Sequence, residues 1–337
     1  MPRNSDGRIT RQPGRTSSAL AVRRDPWCGA WRKGVVKRSM RTVVAAGTAG
    51  IRPGVAVFCF LMWISAGLAG AEKERRANLF FAFDNGVGRG KWMPQEQART
   101  LKELGYDGIG YTGTKNLLER FKACDSQGLR VFSLYLPCHP GNEVPFSPQL
   151  AEAVKQLEGT GTMLWLTVQG RSSDMEAVRV IREISDIAGR HGIKVALYPH
   201  HGFYVATARD AVRLVKQVGR PNVGVSINLC HELRAGNVDR LGEIIEEAAP
   251  HLFLVSINGA DREGGWDKLI RTLDQGEFDV PGFLRKLAAV GYTGPVGLQC
   301  YNLKGDQREN LEISMKAWRN HLSSDDRSRG QLQVPEK

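Results

Sequence analysis

The 337-residue chain has a formal net charge of +12 at pH 7, which taken alone would favour an acidic partner such as nucleic acid or an anionic membrane. The charge is concentrated at one end, because residues 1–53 carry twelve Lys or Arg against two acidic residues, a net +10. The rest of the chain is nearly neutral, at +2. A near-neutral domain is not expected to bind phosphate backbones strongly, so we expect no nucleic-acid partner.

An uncharged, largely apolar run at residues 54–71 follows the basic stretch, and residues 69–71 at its end are small. A basic stretch, an apolar run and a small-residue end are typical of a secretory signal peptide. The run is also near the lower length limit for spanning a bilayer, so an uncleaved anchor is the alternative. We favour cleavage near Ala71. This predicts an exported protein, periplasmic or secreted, with no stable membrane span, whether translation starts at Met1 or Met40.

After this leader, short apolar runs alternate with amphipathic stretches, the pattern of repeated β-α units in a parallel sheet. Eight candidate strands lie at residues 79–86, 106–113, 129–138, 162–170, 193–202, 222–232, 251–261 and 295–302. Apolar spacing of three and four residues predicts helices, among them those at 94–104, 175–191, 207–218, 238–248 and 308–322.

Eight such units favour a closed (β/α)8 TIM barrel over an open doubly wound sheet. The barrel would form a single domain over residues 72–322, followed by a polar tail at 323–337 that we expect to be disordered. No G-x-G-x-x-G or P-loop pattern follows a strand, which disfavours a nucleotide cofactor. The four cysteines after the leader lack the dense spacing of a disulfide framework, so we expect buried thiols.

Polar side chains gather at the predicted carboxyl ends of the strands, where barrels of this kind place their functional residues. Four of the seven histidines fall there: His139, His200, His201 and His231. Other candidates at these ends, or on the loops that follow, are Asp84, Gln169, Tyr198, Asn228, Ser256, Asp261, Arg262, Trp266 and Gln299. So many hydrogen-bonding groups predict a small-molecule carbohydrate ligand.

From about residue 79 to 320, the order and spacing of these motifs resemble the xylose isomerase-like TIM-barrel superfamily, particularly its sugar phosphate isomerase and epimerase branch. The family's fifth strand ends in a Glu, its sixth carries Asp-x-x-His, its seventh a His with an Arg six residues on, and its eighth a Glu. The resemblance implies that the two Glu, the Asp and the seventh-strand His bind a divalent metal. The Glu pair also moves a proton beside the sugar carbonyl.

In this chain, His231 matches the sixth-strand histidine and Arg262 the arginine, but the metal-ligand positions have changed. Those four positions are held by Tyr198, Asn228, Ser256 and Gln299. All four are neutral at pH 7, whereas a hard divalent cation needs carboxylate charge to offset its dehydration. We therefore predict no metal site of the family type and name no cofactor. A divalent metal held by other residues stays open.

Three interpretations remain. In the first, the barrel is a sugar isomerase or epimerase-like enzyme, with His200 or His231 as base, Tyr198 as acid, and Arg262 with Gln299 holding the oxyanion. In the second, which we place just below the first, the barrel binds carbohydrate without turning it over. In the third, it is a metal-dependent isomerase or lyase with rearranged ligands, drawn from His200, His201, His231 or Asp261.

Trp266 lies on a glycine-containing loop at residues 259–269, where its ring could stack on a sugar and the loop could move as a lid. A cross-class alternative is a nucleic-acid enzyme, because the superfamily also includes endonucleases for abasic sites. Those enzymes use a larger set of His, Asp and Glu ligands, which this chain lacks. The oligomeric state is not predicted.

Overall fold

A computed structural model describes residues 78–330, with side chains described as far as residue 322. The predicted basic leader and signal peptide therefore lie outside the described residues, as do residues 331–337 of the predicted tail. Within the described part of the chain, none of the helices combines the length and the apolar composition that a bilayer crossing requires.

Eight parallel strands in the described residues close into a barrel in chain order, and β8 pairs with β1. The strands are β1 (Phe80–Phe83), β2 (Gly108–Thr112), β3 (Arg130–Cys138), β4 (Met163–Val168), β5 (Val195–Leu197), β6 (Val223–Asn228), β7 (Leu252–Ile257) and β8 (Val296–Leu298). The predicted (β/α)8 barrel is confirmed. Most strands are shorter than predicted, chiefly because the predicted segments ran on into the loops at their carboxyl ends, whereas β3 ends at Cys138 as predicted.

Helices cover the outside of the barrel. Those in the described residues are α1 (Pro94–Leu104), α2 (Leu117–Ser126), α3 (Leu150–Gln156), α4 (Asp174–Gly189), α5 (Ala208–Val218), α6 (Leu229–Arg234), α7 (Leu241–Ala248), α8 (Trp266–Leu269), α9 (Val280–Ala289) and α10 (Gln307–Gly330). The five helices named from the sequence are present. Helix α10 continues past residue 322, into the segment predicted as a tail.

Local sequence signals set several of these helix ends. Ser173 and Glu176 form a capping box that starts α4, and Thr207 and Asp210 form another that starts α5, so in each case the side chains satisfy free backbone N–H groups. Gly105 ends α1 in the left-handed conformation, with φ 87°, which a residue with a Cβ rarely adopts.

One prediction about the sixth strand is wrong. Residues 229–232 were assigned to the strand, but the chain turns directly from β6 into the short helix α6. Leu229 and Cys230 are apolar and continue the strand pattern, so periodicity alone cannot detect the turn. The consequence is functional, because His231 is presented from a helix at the end of the barrel.

Two apolar layers hold the barrel. The larger lies between the strands and the surrounding helices, and the smaller fills the barrel interior with side chains such as Phe81, Phe132 and Trp165. The rings of Phe81 and Phe132 stack with their centroids 4.8 Å apart. Tyr198 belongs to this interior layer, and its ring packs edge-on against Trp165 at 4.7 Å. The barrel is therefore a packed core, and its interior aromatic layer supports the site above it.

The four described cysteines are buried free thiols, which confirms that prediction. Burial raises the pKa of Cys124 to about 11 and the pKa of Cys230 and Cys300 to about 12, and it also raises the pKa of Cys138. Because the thiolate is the nucleophilic form, these side chains are suited to packing and not to covalent catalysis.

Candidate active site

A cavity of about 500 Å³ opens at the carboxyl ends of the strands, and we call it the inner cavity. This volume lies within the range of small-molecule sites. Seven side chains predicted from the sequence lie in its walls: Asp84, Tyr198, His200, His201, His231, Trp266 and Gln299. Groups separated by up to 215 residues are thus brought together at the predicted end of the barrel.

The Tyr198 hydroxyl is buried and is held by His231. His231 Nε2 lies 3.4 Å from the hydroxyl oxygen, and the backbone N–H of His201 donates to His231 Nδ1 at 3.3 Å. Burial, together with the nearby His200 and His201, lowers the pKa of His231 well below 6.5, so the ring is neutral at pH 7. Because Nδ1 accepts a hydrogen bond, Nε2 carries the proton and donates it to Tyr198.

Gln299 holds the same hydroxyl from another side. Its Oε1 accepts from Asn85 Nδ2 at 2.7 Å and from the Tyr301 backbone N–H at 3.0 Å, which fixes the orientation of the amide. Its Nε2 then donates to the Tyr198 hydroxyl at 3.3 Å. The oxygen of Tyr198 thus accepts two N–H groups, which leaves its own proton for a ligand. Burial raises the pKa of Tyr198 well above 10, so the hydroxyl keeps that proton.

His200 offers the complementary group. Its Nδ1 lies 2.9 Å from the carbonyl oxygen of His201, so Nδ1 carries the proton and Nε2 carries the lone pair. Among residues 78–322, no hydrogen bond occupies that Nε2. Burial lowers the pKa of His200 below 6.5, and the ring stacks on Phe203 at 4.0 Å. His200 is therefore a neutral, oriented base at the cavity wall.

Two further wall residues of the inner cavity, Asp84 and Trp266, differ in how far their side chains are engaged by neighbours. The carboxylate of Asp84 accepts from the backbone N–H of Thr112 at 2.8 Å and from its hydroxyl at 2.9 Å, with Arg89 3.6 Å away. Burial raises the pKa of Asp84 despite these partners. The ring of Trp266 lies edge-on to His231 at 5.4 Å. Asp84 ties β1 to β2, whereas Trp266 offers an aromatic surface.

Six of the predicted residues do not line the inner cavity: His139, Gln169, Asn228, Ser256, Asp261 and Arg262. Gln169 donates to the Thr167 hydroxyl at 2.8 Å, and Asp261 pairs with Arg271 at 3.1 Å. Arg262 is exposed and pairs with Asp239 at 2.5 Å. The position of Arg262 therefore gives no support to its predicted role beside Gln299. The predicted lid motion of the loop at residues 259–269 stays a prediction.

The four residues predicted to match the family's metal ligands form two bonded pairs. Gln299 contacts Tyr198, while the Ser256 hydroxyl donates to Asn228 Oδ1 at 3.0 Å and Asn228 Nδ2 donates to the Pro199 carbonyl at 2.8 Å. Asn228 and Ser256 are fully buried and are not wall residues of the inner cavity.

This donor set does not fit a hard divalent cation. It is uncharged, and the two amide oxygens already accept hydrogen bonds from neighbouring groups. Among the described side chains, no group of three or more His, Cys, Asp or Glu is placed to hold a metal ion. We therefore derive no chemical step through the family's metal.

Sequence reasoning missed several wall residues, some of them aromatic. Tyr111, Tyr135 and Trp165 lie on β2, β3 and β4, and all three line the inner cavity. They sit within apolar strand runs, so the sequence does not separate them from core residues. Ser133 Oγ in the same wall is buried and has no hydrogen-bond partner within the described residues. A buried hydroxyl left unpaired in a cavity wall is suited to a polar ligand.

The family described as xylose isomerase-like TIM barrel matches residues 98–321, more than half of the chain. The protein belongs to this family.

Among curated proteins, the chain is similar to the uncharacterized protein MJ1311 of Methanocaldococcus jannaschii, at 25% identity over 136 residues. That match covers 40% of this chain and 45% of the relative. It is also similar to a 3-dehydroshikimate dehydratase of Pseudomonas putida, at 28% identity over 129 residues, or 36% of this chain and 20% of that protein. The chain thus spans less than half the length of these relatives.

Two solved structures share the fold. The 3-keto-D-glucoside 4-epimerase YcjR of E. coli superposes with a TM-score of 0.59 at 17% identity, over 72% of this chain and 98% of that one. An L-ribulose 3-epimerase superposes with a TM-score of 0.61 at 13% identity, over 77% of this chain and 99% of the other. At these identities the likeness concerns the fold alone.

Proposed function

We propose that the protein binds a carbohydrate in the inner cavity and moves a proton on it by acid/base chemistry. The observation that carries the proposal is the pairing of a neutral base, His200, with the oriented hydroxyl of Tyr198 in one cavity. Aromatic walls can pack against the faces of a sugar ring. Sugar epimerases among the similar structures, and a dehydratase among the similar sequences, support the same class.

The residues divide into acting and positioning groups. His200 Nε2 takes a proton from the carbon beside the sugar carbonyl. The electron pair of that C–H bond forms the C=C bond of an enolate, as the π pair of the carbonyl moves onto its oxygen. Tyr198 donates its hydrogen bond to that oxygen as negative charge develops. The ring centroids of Tyr198 and His200 lie 6.2 Å apart, close enough to act on one substrate. Delivery of a proton to the former carbonyl carbon completes an isomerisation, and delivery to the opposite face of the original carbon completes an epimerisation. Loss of a neighbouring hydroxyl as water, with the proton that His200 carries, gives elimination.

His231 is a positioning residue in this scheme. Both of its ring nitrogens are engaged, one by the His201 backbone and one by Tyr198, so neither is free to take a substrate proton. Its role is to hold the Tyr198 oxygen and direct the phenolic proton to the ligand. This assignment narrows the sequence-based choice of base to His200.

We further propose that the reaction proceeds without the divalent metal of the family, because Tyr198, Asn228, Ser256 and Gln299 are a poor set of cation ligands. The alternative set with Asp261 is weakened by the pairing of that carboxylate with Arg271. Location outside the cytoplasm is also part of the proposal, and it rests on the basic and apolar leader alone. N-terminal sequencing of protein recovered from the producing cells tests it, with a start near residue 72 expected and an intact leader contradicting it.

A direct test measures binding and proton exchange together. Chelator-treated protein is screened by calorimetry against sugars and keto sugars, including 3-keto glucose. The same mixtures are followed by NMR in D2O. We expect a sugar to bind and a proton beside its carbonyl to exchange, at a rate that the chelator leaves unchanged. Arg262→Ala is the matched control, because the exposed Arg262 lies outside the inner cavity.

Each other outcome has a distinct meaning. Binding with no exchange supports a carbohydrate-binding barrel, an interpretation favoured by the engaged state of Asp84, the one carboxylate among the described wall residues. Exchange that disappears with the chelator and returns with a divalent metal overturns the metal-independent mechanism. Absence of binding by every sugar refutes the proposed function.

A further inference from the structure

A second cavity of about 470 Å³ adjoins the inner cavity, and we call it the outer cavity. It lies between the loop that follows β7 and the loop that follows β8. Three residues, Trp266, Ile270 and Tyr301, line both cavities. The two spaces therefore meet at a shared wall, at the carboxyl end of the barrel.

The outer cavity contains a buried polar group that lacks a partner. Thr272 is 6% exposed, and its hydroxyl has no hydrogen-bond partner within the described residues. Leaving a buried hydroxyl unpaired costs folding free energy, so the protein gains when a ligand hydroxyl completes this bond. Thr272 lines the outer cavity and not the inner one. It is thus a polar contact for a unit beyond the reacting ring.

The shared wall offers an exposed aromatic surface. Tyr301 is 54% exposed and stands at the mouth of the two cavities. Its backbone N–H bonds Gln299 Oε1, which ties its position to the network around Tyr198. An aromatic ring at this junction can pack against the apolar face of a second sugar ring.

The charges around the outer cavity favour a neutral occupant. Arg271 is paired with Asp261 at 3.1 Å, and Lys304 and Asp267 in the walls carry opposite charges. These wall residues therefore leave no net positive charge that would attract a phosphate or a carboxylate. Asn302 adds an amide that can bond sugar hydroxyls.

We propose that the outer cavity is a second sugar subsite, so that the ligand is a glycoside of at least two sugar units. The reacting ring occupies the inner cavity, and the neighbouring ring lies by Tyr301 with a hydroxyl bonded to Thr272. This inference rests on the proposed function and specifies its substrate class.

The test compares one sugar ring with two. Calorimetry measures the affinity of the full chain for glucose and for maltose, cellobiose and trehalose. Wild type is compared with Thr272→Val, which keeps the shape and removes the hydroxyl, and with Tyr301→Ala. Leu118→Ala, which removes another exposed apolar side chain, is the matched control. We expect at least one disaccharide to bind about tenfold more tightly than glucose in wild type.

Thr272→Val should weaken that disaccharide by about three- to tenfold, the loss expected for one hydrogen bond, and should leave glucose affinity unchanged. Tyr301→Ala should remove most of the disaccharide advantage, and Leu118→Ala none of it. Equal affinity for glucose and every disaccharide overturns the second subsite while the proposed function stands. A disaccharide advantage that survives in both variants also overturns it. Failure of every sugar to bind refutes the proposed function itself.

Discussion

Two pairs of residues stand at the positions predicted to match the family's metal ligands, and their surroundings in the structure differ. Tyr198 follows β5 and Gln299 follows β8. Both line the inner cavity, and they are joined by a hydrogen bond. Asn228 and Ser256, on β6 and β7, bond each other out of reach of the cavity. The first pair contributes to the cavity wall. The second pair, which we call the sealed pair, is fully buried.

The largest expected effect comes from His200, beside the first pair. His200→Gln keeps a polar side chain but removes the basic lone pair, so we expect proton exchange to fall about 1000-fold. Sugar affinity, measured by calorimetry, should change little. His139→Gln is the control, since His139 follows β3 but lies outside the walls of the inner cavity. Exchange that persists in His200→Gln would remove His200 as the base.

Tyr198→Phe tests the first pair itself. The substitution keeps the aromatic packing on Trp165 and removes the hydroxyl that His231 and Gln299 hold. We expect exchange to fall about 100-fold, the loss typical of one oxyanion donor. Tyr135→Phe, a wall tyrosine whose ring lies 5.1 Å from that of Tyr198, should have a much smaller effect. Equal effects of the two variants would contradict the special role of Tyr198.

Asn228→Asp tests the sealed pair by restoring the family's carboxylate. The new carboxylate cannot donate to the Pro199 carbonyl and is buried without charge compensation. We expect the free energy of unfolding, measured with urea, to fall by about 2–3 kcal/mol. Ser256→Ala, which removes one hydrogen bond, should cost about 1 kcal/mol. An Asn228→Asp protein as stable as wild type would show that the pair is not sealed.

Mild acid should lower the free energy of unfolding through the buried His231. Its pKa in the folded protein lies well below 6.5, because of burial and of the neighbouring His200 and His201. Above pH 6.5 the ring is neutral in both states. Below it the unfolded chain takes up a proton that the folded protein excludes, so the free energy of unfolding decreases as the pH falls. Urea unfolding at pH 7 and pH 5 should show a smaller decrease in His231→Gln than in wild type. Equal decreases would contradict the assignment.

The barrel was predictable because each buried strand is an apolar run that alternates with an amphipathic helix. The ends of the strands could not be predicted in the same way. Leu229 and Cys230, for example, extend the apolar run of β6 although the chain has already turned into α6. Tyr135, a wall residue of the inner cavity, was missed for a related reason. An aromatic residue in a strand has the same pattern whether it faces a cavity or the core. Arg262 shows a different limit, because the family spacing fixes its place in the chain but not the direction of its side chain, which pairs with Asp239.

The sequence by itself determined the eight-unit barrel and the identity of the polar side chains that follow its strands. These follow from residue identity and spacing. Only the tertiary structure decided which of these side chains reach the cavity and which ring nitrogens are free. Those properties depend on residues far apart in the chain. The His201 N–H, for example, donates a hydrogen bond to His231 Nδ1, and Gln299 donates one to Tyr198, 101 residues away. Such contacts decide which ring nitrogen of a histidine carries the proton, and they cannot be predicted from the local sequence.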